Sequence, residues 1–380
     1  MKKIFVSLVL VGIATSGIFA QDNANQQLPT NQRKIQMAIL FDASGSMDGL
    51  LSQAKARIWS IVNELTTMRY EGTTPSIEIA LYSYGNDGHP SKENYIKQLV
   101  PLSNDLDLIS EQLFSITTNG GSEYCAAVIS SALKELKWST SSEDLRMIYI
   151  AGNEPFNQGP IDYKKICPDA LSREIFVNTI HCGDYEIGVK HFWYDGAQLA
   201  GGDYFHIDSD KSIQYIPTPF DDSLNALNDS INKTYFGYGS LGIERKELQF
   251  VQDKNAESLS PASKAERCIS KSNDNYNNSS WDLIDAFEKN KVDFAKMKDE
   301  ELPTEFKGLT VNQKKELVVK KSAQRKEYQK QVAELAIERD KFLQEERLKK
   351  GAEVEDDFGT SVNKCIKIKA EKVGYTKVVN

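Results

Sequence analysis

Beyond residue 20 the chain has no long hydrophobic run. No later stretch approaches the roughly 18 apolar residues that a membrane-spanning helix needs, so a transmembrane protein is not expected. The first 20 residues are the exception, because Met1-Lys2-Lys3 precedes an apolar stretch that ends in small residues at Ala20. This pattern predicts a secretory signal at 1–20 that is cleaved after Ala20. We therefore expect an exported chain that resides in the periplasm, at the cell surface or outside the cell.

Histidine and cysteine, the commonest ligands of zinc, are scarce and scattered. The four histidines include no pair four residues apart, and none of the five cysteines has Cys-x-x-Cys spacing. A zinc site is therefore not expected. An odd number of cysteines in an oxidising compartment leaves at least one thiol free or paired between chains. We expect buried thiols with at most one disulfide bridge.

Positive charge is also in deficit. The formal net charge is −8 at pH 7, and removal of the predicted signal with its two lysines makes it −10. An acidic chain is a poor candidate for binding nucleic acid, because the phosphates of the nucleic acid repel it. The same charge is compatible with binding a cation.

Apolar strands alternate with amphipathic helices between residues 34 and 236. Apolar runs predict strands over Ile35–Phe41, Ser76–Tyr84, Arg146–Ala151, Ile175–Cys182 and Asp203–Ile207. Helical periodicity predicts helices over Leu50–Leu65, Leu106–Phe114, Tyr124–Leu136, Asp162–Leu171 and Ser223–Tyr235. This alternation predicts an α/β fold with a doubly wound, mostly parallel sheet flanked by helices. Ligands of such sheets bind at the carboxyl ends of the strands.

The remaining segments differ in composition from this α/β region. An Asn/Gln-rich stretch at 21–33 predicts a flexible leader. Residues 237–300 begin with a turn-rich segment and predict a helical and irregular extension. Residues 301–350 predict a long charged helix, whose coiled-coil spacing lasts barely two heptads, so that the helix is either solvated or paired with a partner. Residues 351–380 end in a basic segment.

The first predicted strand runs directly into Asp42-Ala43-Ser44-Gly45-Ser46. This Asp-x-Ser-x-Ser turn places one carboxylate and two hydroxyls on successive outward positions of one loop. Hard oxygen donors grouped so tightly suit a small hard cation, namely Mg²⁺ or another divalent ion such as Mn²⁺ or Ca²⁺. A polar turn in which Asp42 and Ser44 only cap the following helix is the alternative interpretation.

The Asp42-x-Ser44-x-Ser46 turn resembles the metal-ion-dependent adhesion site of von Willebrand factor A (VWA) domains. A second loop of that site is similar to the segment from Thr118 to Glu123, in which Ser122 takes the place of the family's threonine and keeps its oxygen. The resemblance covers about residues 34–235 and is to exported bacterial VWA proteins. It implies the α/β fold predicted above.

The third loop of the family site departs from the pattern. In Ala151-Gly152-Asn153-Glu154, Gly152 stands where the family has an aspartate. Either Glu154 or Asn153 is expected to reach the ion, or the site loses one anion. Glu154 is the residue expected to restore the missing charge, whereas Glu123 is expected to point along its helix. The resemblance therefore implies an incomplete metal site with these ligands: Asp42, Ser44, Ser46, Ser122 and Glu154.

A protein of this kind binds a partner through its metal and is not an enzyme. If the site does lose this anion, Asp42 alone leaves about one unit of positive charge on a divalent ion, which favours a protein partner that donates an acidic residue. The sequence thus predicts an exported binding or adhesion module. The alternative is an envelope scaffold or assembly protein that acts mainly through the C-terminal helical region.

The sequence motifs of enzymes are incomplete or absent. A phosphatase of the haloacid-dehalogenase type needs a second aspartate two residues after Asp42, where Ser44 cannot act as an acid or base at neutral pH. The chain has no Gly-x-Ser-x-Gly elbow and no Gly-x-x-x-x-Gly-Lys phosphate loop. These absences favour the non-enzymatic interpretation.

Overall fold

The computed structural model of the chain describes residues 32–208, 210–211, 213, 215–349 and 358–377. The predicted signal at 1–20, most of the predicted leader at 21–33 and the stretch 350–357 lie outside the described residues. Within the part of the chain that is described, no helix is long and apolar enough to cross a membrane.

Strands and helices alternate in the first half of the chain, and helices dominate the second half. The strands are β1 (Lys34–Asp42), β2 (Met68–Arg69), β3 (Ser76–Tyr84), β4 (Ile96–Ser103), β5 (Leu145–Gly152), β6 (Ile175–Cys182), β7 (Tyr204–Ile207) and β8 (Thr376–Lys377). The helices of the first half are α1 (Asp48–Thr66), α2 (Leu106–Ser115), α3 (Cys125–Glu135), α4 (Tyr163–Ser172), α5 (Tyr185–Lys190) and α6 (Trp193–Leu199). The later helices are α7 (Asp221–Asn232), α8 (Gly242–Leu259), α9 (Pro261–Lys271), α10 (Leu283–Glu288), α11 (Val311–Lys349) and α12 (Phe358–Lys372).

The six longer strands form one sheet in the order β4-β3-β1-β5-β6-β7. β1 pairs in parallel with β3 on one side and with β5 on the other, and β6 and β7 continue the parallel part. β4 runs antiparallel at the edge beside β3. The predicted doubly wound, mostly parallel sheet is thus confirmed. Because the chain crosses from one side of β1 to the other between β4 and β5, the carboxyl end of β1 lies at the switch point where such sheets bind ligands.

β4 is a strand that the sequence pattern does not predict. Its segment contains Pro101, which has no amide hydrogen to donate to a neighbouring strand. The structure places β4 at the edge of the sheet, where only one side of the backbone must be paired. Ile96 and Val100 are buried, while the other residues of the strand are half-buried or exposed. The weak hydrophobic alternation follows from this edge position.

The C-terminal helix α12 packs on the sheet. Its first residue, Phe358, contacts Phe41 of β1 with ring centroids 5.4 Å apart. Lys369 Nζ lies 3.0 Å from Asp203 Oδ2, next to β7. The strand that follows, β8, pairs with β2 in an antiparallel ladder. The segment predicted only as basic therefore shares a hydrophobic core with β1.

The helix α11 packs against its own chain along one face. Residues seven apart on that face are buried: Val318, Arg325, Val332 and Arg339. Arg325 Nη1 lies 2.8 Å from Asp282 Oδ2, and Arg339 Nε lies 2.8 Å from Asp221 Oδ1. Such pairs position a helix firmly, because removing one partner leaves a costly buried charge. Another chain can therefore pair only with the other faces of α11.

The domain boundaries at 237, 301 and 351 remain predictions.

All five cysteines are buried free thiols, and all five lie within the described residues. The disulfide bridge that the sequence allows for is not formed. Burial raises the pKa of every one of these thiols, which makes them poor nucleophiles and poor metal ligands. They act as small apolar residues of the core.

Candidate metal centre

Asp42 ends β1 and lies buried at the carboxyl edge of the sheet. Its Oδ1 accepts a hydrogen bond of 2.8 Å from the Ser44 amide, which closes the turn. Its Oδ2 is buried and has no hydrogen-bond donor. Ser44 is buried and Ser46 is exposed, and their hydroxyl oxygens lie 3.3 Å apart. The structure thus brings the three polar side chains of the first loop together.

The second loop lies against the first. The Asn119 amide donates a hydrogen bond of 3.0 Å to the Ala43 carbonyl. Gly121 allows a close backbone approach, since a Cβ there would lie 2.3 Å from the Gly85 carbonyl oxygen. Ser122 follows directly and is half-buried. These contacts place the loop that carries Ser122 beside the Asp-x-Ser-x-Ser turn, and the role of Ser122 as a ligand remains a prediction.

The third loop reaches the first through Asn153. Asn153 Nδ2 donates a hydrogen bond of 3.2 Å to Ser46 Oγ. Glu154 is exposed, and its Oε2 accepts a hydrogen bond of 3.1 Å from Gln158 Nε2. Of the two candidates on this loop, Asn153 therefore contacts the first loop directly. The role of Glu154 as a ligand remains a prediction.

Gly152 leaves no space for the aspartate of the family pattern. A Cβ at this position would lie 2.6 Å from Tyr84 Oη and 3.0 Å from Asp42 Oδ2. Tyr84 is fixed, because it is buried and its hydroxyl donates a hydrogen bond of 3.0 Å to the Ala151 carbonyl. The space that a side chain at position 152 would need is therefore occupied by Tyr84.

Glu123 is the site residue that sequence reasoning missed. The prediction that it points along its helix is wrong, because α3 begins only at Cys125 and Glu123 belongs to the loop before it. Its side chain is 7% exposed and lies with Asp42 over Gly85. A Cβ on Gly85 would be 2.8 Å from Glu123 Cγ and 3.0 Å from Asp42 Oδ1. The one signal in the sequence is the position of an acidic residue directly after Ser122.

The two carboxyl groups perturb each other. Burial raises the pKa of Asp42 to about 6. Hydrogen bonds with Glu123 and with the Ser44 amide lower this pKa, but their effect is smaller than that of burial. Burial, and then the charge of Asp42, raise the pKa of Glu123 to about 9. If both are ionised, Asp42 Oδ2 and Glu123 Oε2 are buried acceptors without a donor. The pair therefore needs either a shared proton or a cation.

These residues fit a hard divalent ion. Carboxylate and hydroxyl oxygens are the ligands that Mg²⁺, Mn²⁺ and Ca²⁺ prefer. Within the described residues, no three or more His, Cys, Asp or Glu side chains are grouped so that they could hold a metal. An ion at Asp42 would therefore depend on the serine hydroxyls as well as on carboxylates.

The carboxyl pair is expected to make the metal-free protein less stable as the pH rises. Both pKa values lie above their ordinary values of 3.8 and 4.5, so the folded chain holds more protons than the unfolded chain between about pH 4 and about pH 9. We expect a higher melting temperature in EDTA at pH 5 than at pH 8. In the Glu123→Gln variant, most of this decrease in melting temperature should disappear, because the glutamine side-chain amide can donate a hydrogen bond to the Asp42 carboxylate without a shared proton. The same decrease in both proteins would contradict the pairing.

Comparison with known proteins gives matches to solved structures alone, since no protein-family model and no curated protein sequence matches the chain. BatB from Bacteroides thetaiotaomicron is 16% identical over 46% of this chain and 90% of its own, with a TM-score of 0.35. The SpRpn10 VWA domain is 15% identical over 50% of this chain and 94% of its own, with a TM-score of 0.35. A third match is proximal thread matrix protein 1 from the mussel byssus, in a structure with a zinc-occupied MIDAS motif. It is 15% identical over 47% of this chain and 43% of its own, with a TM-score of 0.35. Likeness at this level carries no conclusion about ligands or activity.

The fold is decided by the sheet itself. A central β1 lies between two parallel neighbours, one antiparallel strand closes the β3 side, and helices cover both faces. The chain has an α/β fold with a doubly wound, mostly parallel sheet flanked by helices. Within this α/β fold, the Asp-x-Ser-x-Ser turn follows the central strand and meets the second and third loops at the carboxyl edge. That is the edge where doubly wound sheets bind their ligands.

Proposed function

We propose that the chain is an exported, non-enzymatic binding or adhesion module that recognises a protein partner through a divalent cation. The observation that carries the proposal is the unpaired, fully buried Asp42 Oδ2 next to the loop of Ser44 and Ser46. These three residues and Ser122 would hold the ion, with Glu154 as the predicted further ligand. When bound, the ion supplies a positive position that an oxygen of the partner can occupy. Mg²⁺ is the expected ion, and Mn²⁺ and Ca²⁺ are the other candidates.

The chemistry of the partner follows from the charge of the site. The sequence predicts a partner that donates an acidic residue, which holds only while Asp42 is the one charged ligand of the ion. The net charge of −8 makes nucleic acid an unsuitable partner. The predicted secretory signal supports a location in the periplasm, at the cell surface or outside the cell.

A non-enzymatic role is supported by the placement of the serines. Ser83 Oγ lies 3.0 Å from His89 Nε2, which is the kind of contact that activates a serine nucleophile. Ser83 is buried on β3 with 2% of its surface exposed, so a substrate cannot reach it. At the crevice, the Ser44 hydroxyl contacts Ser46 and the carboxyl groups of Asp42 and Glu123, and none of these partners is a histidine.

The second candidate function is that of an envelope scaffold or assembly protein that acts through α11. Val319 and Ile337 on this helix are 59% and 41% exposed, although its opposite face is packed on the chain. Exposed apolar side chains on a long helix can bind a partner helix. In this role the VWA-like domain would serve as a platform.

A pull-down from the native cell envelope, with the full chain as bait, separates the two candidates. The metal-dependent proposal predicts proteins that are captured in Mg²⁺ and lost both in EDTA and with the Asp42→Ala bait. The same proteins should still bind a bait that carries Val319→Glu and Ile337→Glu. The scaffold proposal predicts the reverse. Proteins that are still captured in EDTA and by the Asp42→Ala bait, but not by the bait with Val319→Glu and Ile337→Glu, would contradict metal-dependent binding and support the scaffold.

A further inference from the structure

We propose that Glu123 is a second charged ligand of the metal site, so that the partner donates a neutral oxygen to the ion and not an acidic residue. This inference rests on the proposed function, because it concerns the same ion and the same partner. It replaces Glu154 by Glu123 as the source of the charge that Gly152 cannot supply.

The position of Glu123 carries the first step. Asp42 is fully buried and Glu123 is 7% exposed, and the two side chains meet over Gly85. Each has one buried oxygen, Asp42 Oδ2 and Glu123 Oε2, that lacks a hydrogen-bond donor. A buried acceptor without a donor destabilises the folded chain, and a charged acceptor does so more than a neutral one. A divalent ion bound by both carboxylates removes this cost for both at once.

The third loop offers two other positions for a negatively charged ligand, 152 and 154, and neither places a carboxylate at the site. At position 152 any side chain would collide with Tyr84 Oη and Asp42 Oδ2. Glu154 is exposed and already accepts a hydrogen bond from Gln158. The third loop therefore places no carboxylate at the ion, whereas the second loop places Glu123 there, one residue after Ser122.

Two carboxylates change what the ion attracts. Asp42 and Glu123 together neutralise a divalent ion, so a carboxylate from the partner would add an uncompensated negative charge to a largely buried site. A hydroxyl or an amide carbonyl brings an oxygen without this charge. The partner chemistry that fits is thus a loop presenting a serine, threonine or backbone carbonyl oxygen.

Calorimetric titration of Mg²⁺ and Mn²⁺ into the full chain tests the role of Glu123. Glu123→Gln should weaken ion binding by about 100-fold, the upper range for altering a metal's surroundings. The matched control Glu154→Gln should change it by less than about threefold, as for an exposed charge. Melting temperatures in EDTA check that each variant is folded.

The outcomes distinguish this inference from the proposed function. Weaker binding in Glu154→Gln with unchanged binding in Glu123→Gln overturns the inference, while ion binding by the wild type still supports the function. Equal binding by all three proteins also overturns it. A wild-type chain that binds no ion overturns both.

Acetate is a probe for the charge of the loaded site. Each protein is saturated with Mn²⁺, and displacement of metal-bound water by acetate is followed through water-proton relaxation. Acetate should bind at about tenfold lower concentration in Glu123→Gln than in the wild type, because the variant leaves about one positive charge on the ion. Equal acetate binding, or tighter binding by the wild type, would overturn the inference of a neutral donor.

Discussion

Asp42→Ala is expected to abolish divalent-ion binding and leave the fold intact. Asp42 is the carboxylate at the centre of the site, and ligand loss should weaken binding by more than about 100-fold. When both carboxyl groups are ionised, Asp42 Oδ2 has no hydrogen-bond donor, so removing this carboxylate relieves its repulsion with Glu123. Equilibrium dialysis with Mn²⁺ measures the bound ion, and thermal unfolding in EDTA measures the fold.

The exposed loop residue Asp274 provides the control for this experiment. Asp274→Ala removes the same charge from the chain and should bind Mn²⁺ like the wild type. Ion binding by Asp42→Ala at wild-type strength would place the ion elsewhere. Loss of binding in both variants would show that general charge, and not the site, holds the ion.

Asp253→Ala is expected to cost about 3–5 kcal/mol of unfolding free energy, the range for breaking a buried ion pair. Asp253 lies between two cations that are 0% exposed, with Lys271 Nζ 3.0 Å from its Oδ2 and Arg267 Nε in contact with its Oδ1. Against the effect of burial, Lys271 and Arg267 hold the pKa of Asp253 well below its usual range. After the substitution, Arg267 keeps its ion pair with Asp107, 2.8 Å away, whereas Lys271 loses its ion pair with Asp253.

Urea unfolding of the full chain measures this loss. Asp229→Ala is the matched control, because Asp229 is 61% exposed and lies 3.7 Å from Lys264. An exposed pair of this kind contributes about 0–1 kcal/mol. Similar small losses in both variants would show that the buried cluster does not hold α8 and α9 together.

Local patterns in the sequence were enough for the sheet and for the position of Asp42. Near-continuous apolar runs mark β1, β3, β5 and β6, and a polar turn directly after β1 must lie at its carboxyl end. These features depend only on residues that are close together in the sequence. The sequence could therefore predict both the mostly parallel sheet and the first loop of the candidate site.

Features that depend on distant residues could not be predicted in this way. The direction of Glu123 is set by how closely the second loop approaches Gly85, which requires Gly121 to pack against a loop about 36 residues earlier. Arg325 in α11 looks like a solvated charge in the sequence, yet it is buried against Asp282, 43 residues away. Neither contact leaves a periodic signal. The position of Glu123 at the site and the packing of α11 thus needed the structure.

The central claim is that one divalent ion binds at the carboxyl end of β1. Its most direct test is a crystal of the full chain soaked in MnCl₂ and measured for anomalous scattering by manganese. The structure predicts one peak with oxygens of Asp42 and Glu123 at about 2.2 Å, the distance expected for such an ion. A strong peak elsewhere on the chain, or an ordered site without manganese at saturating concentration, would contradict the claim.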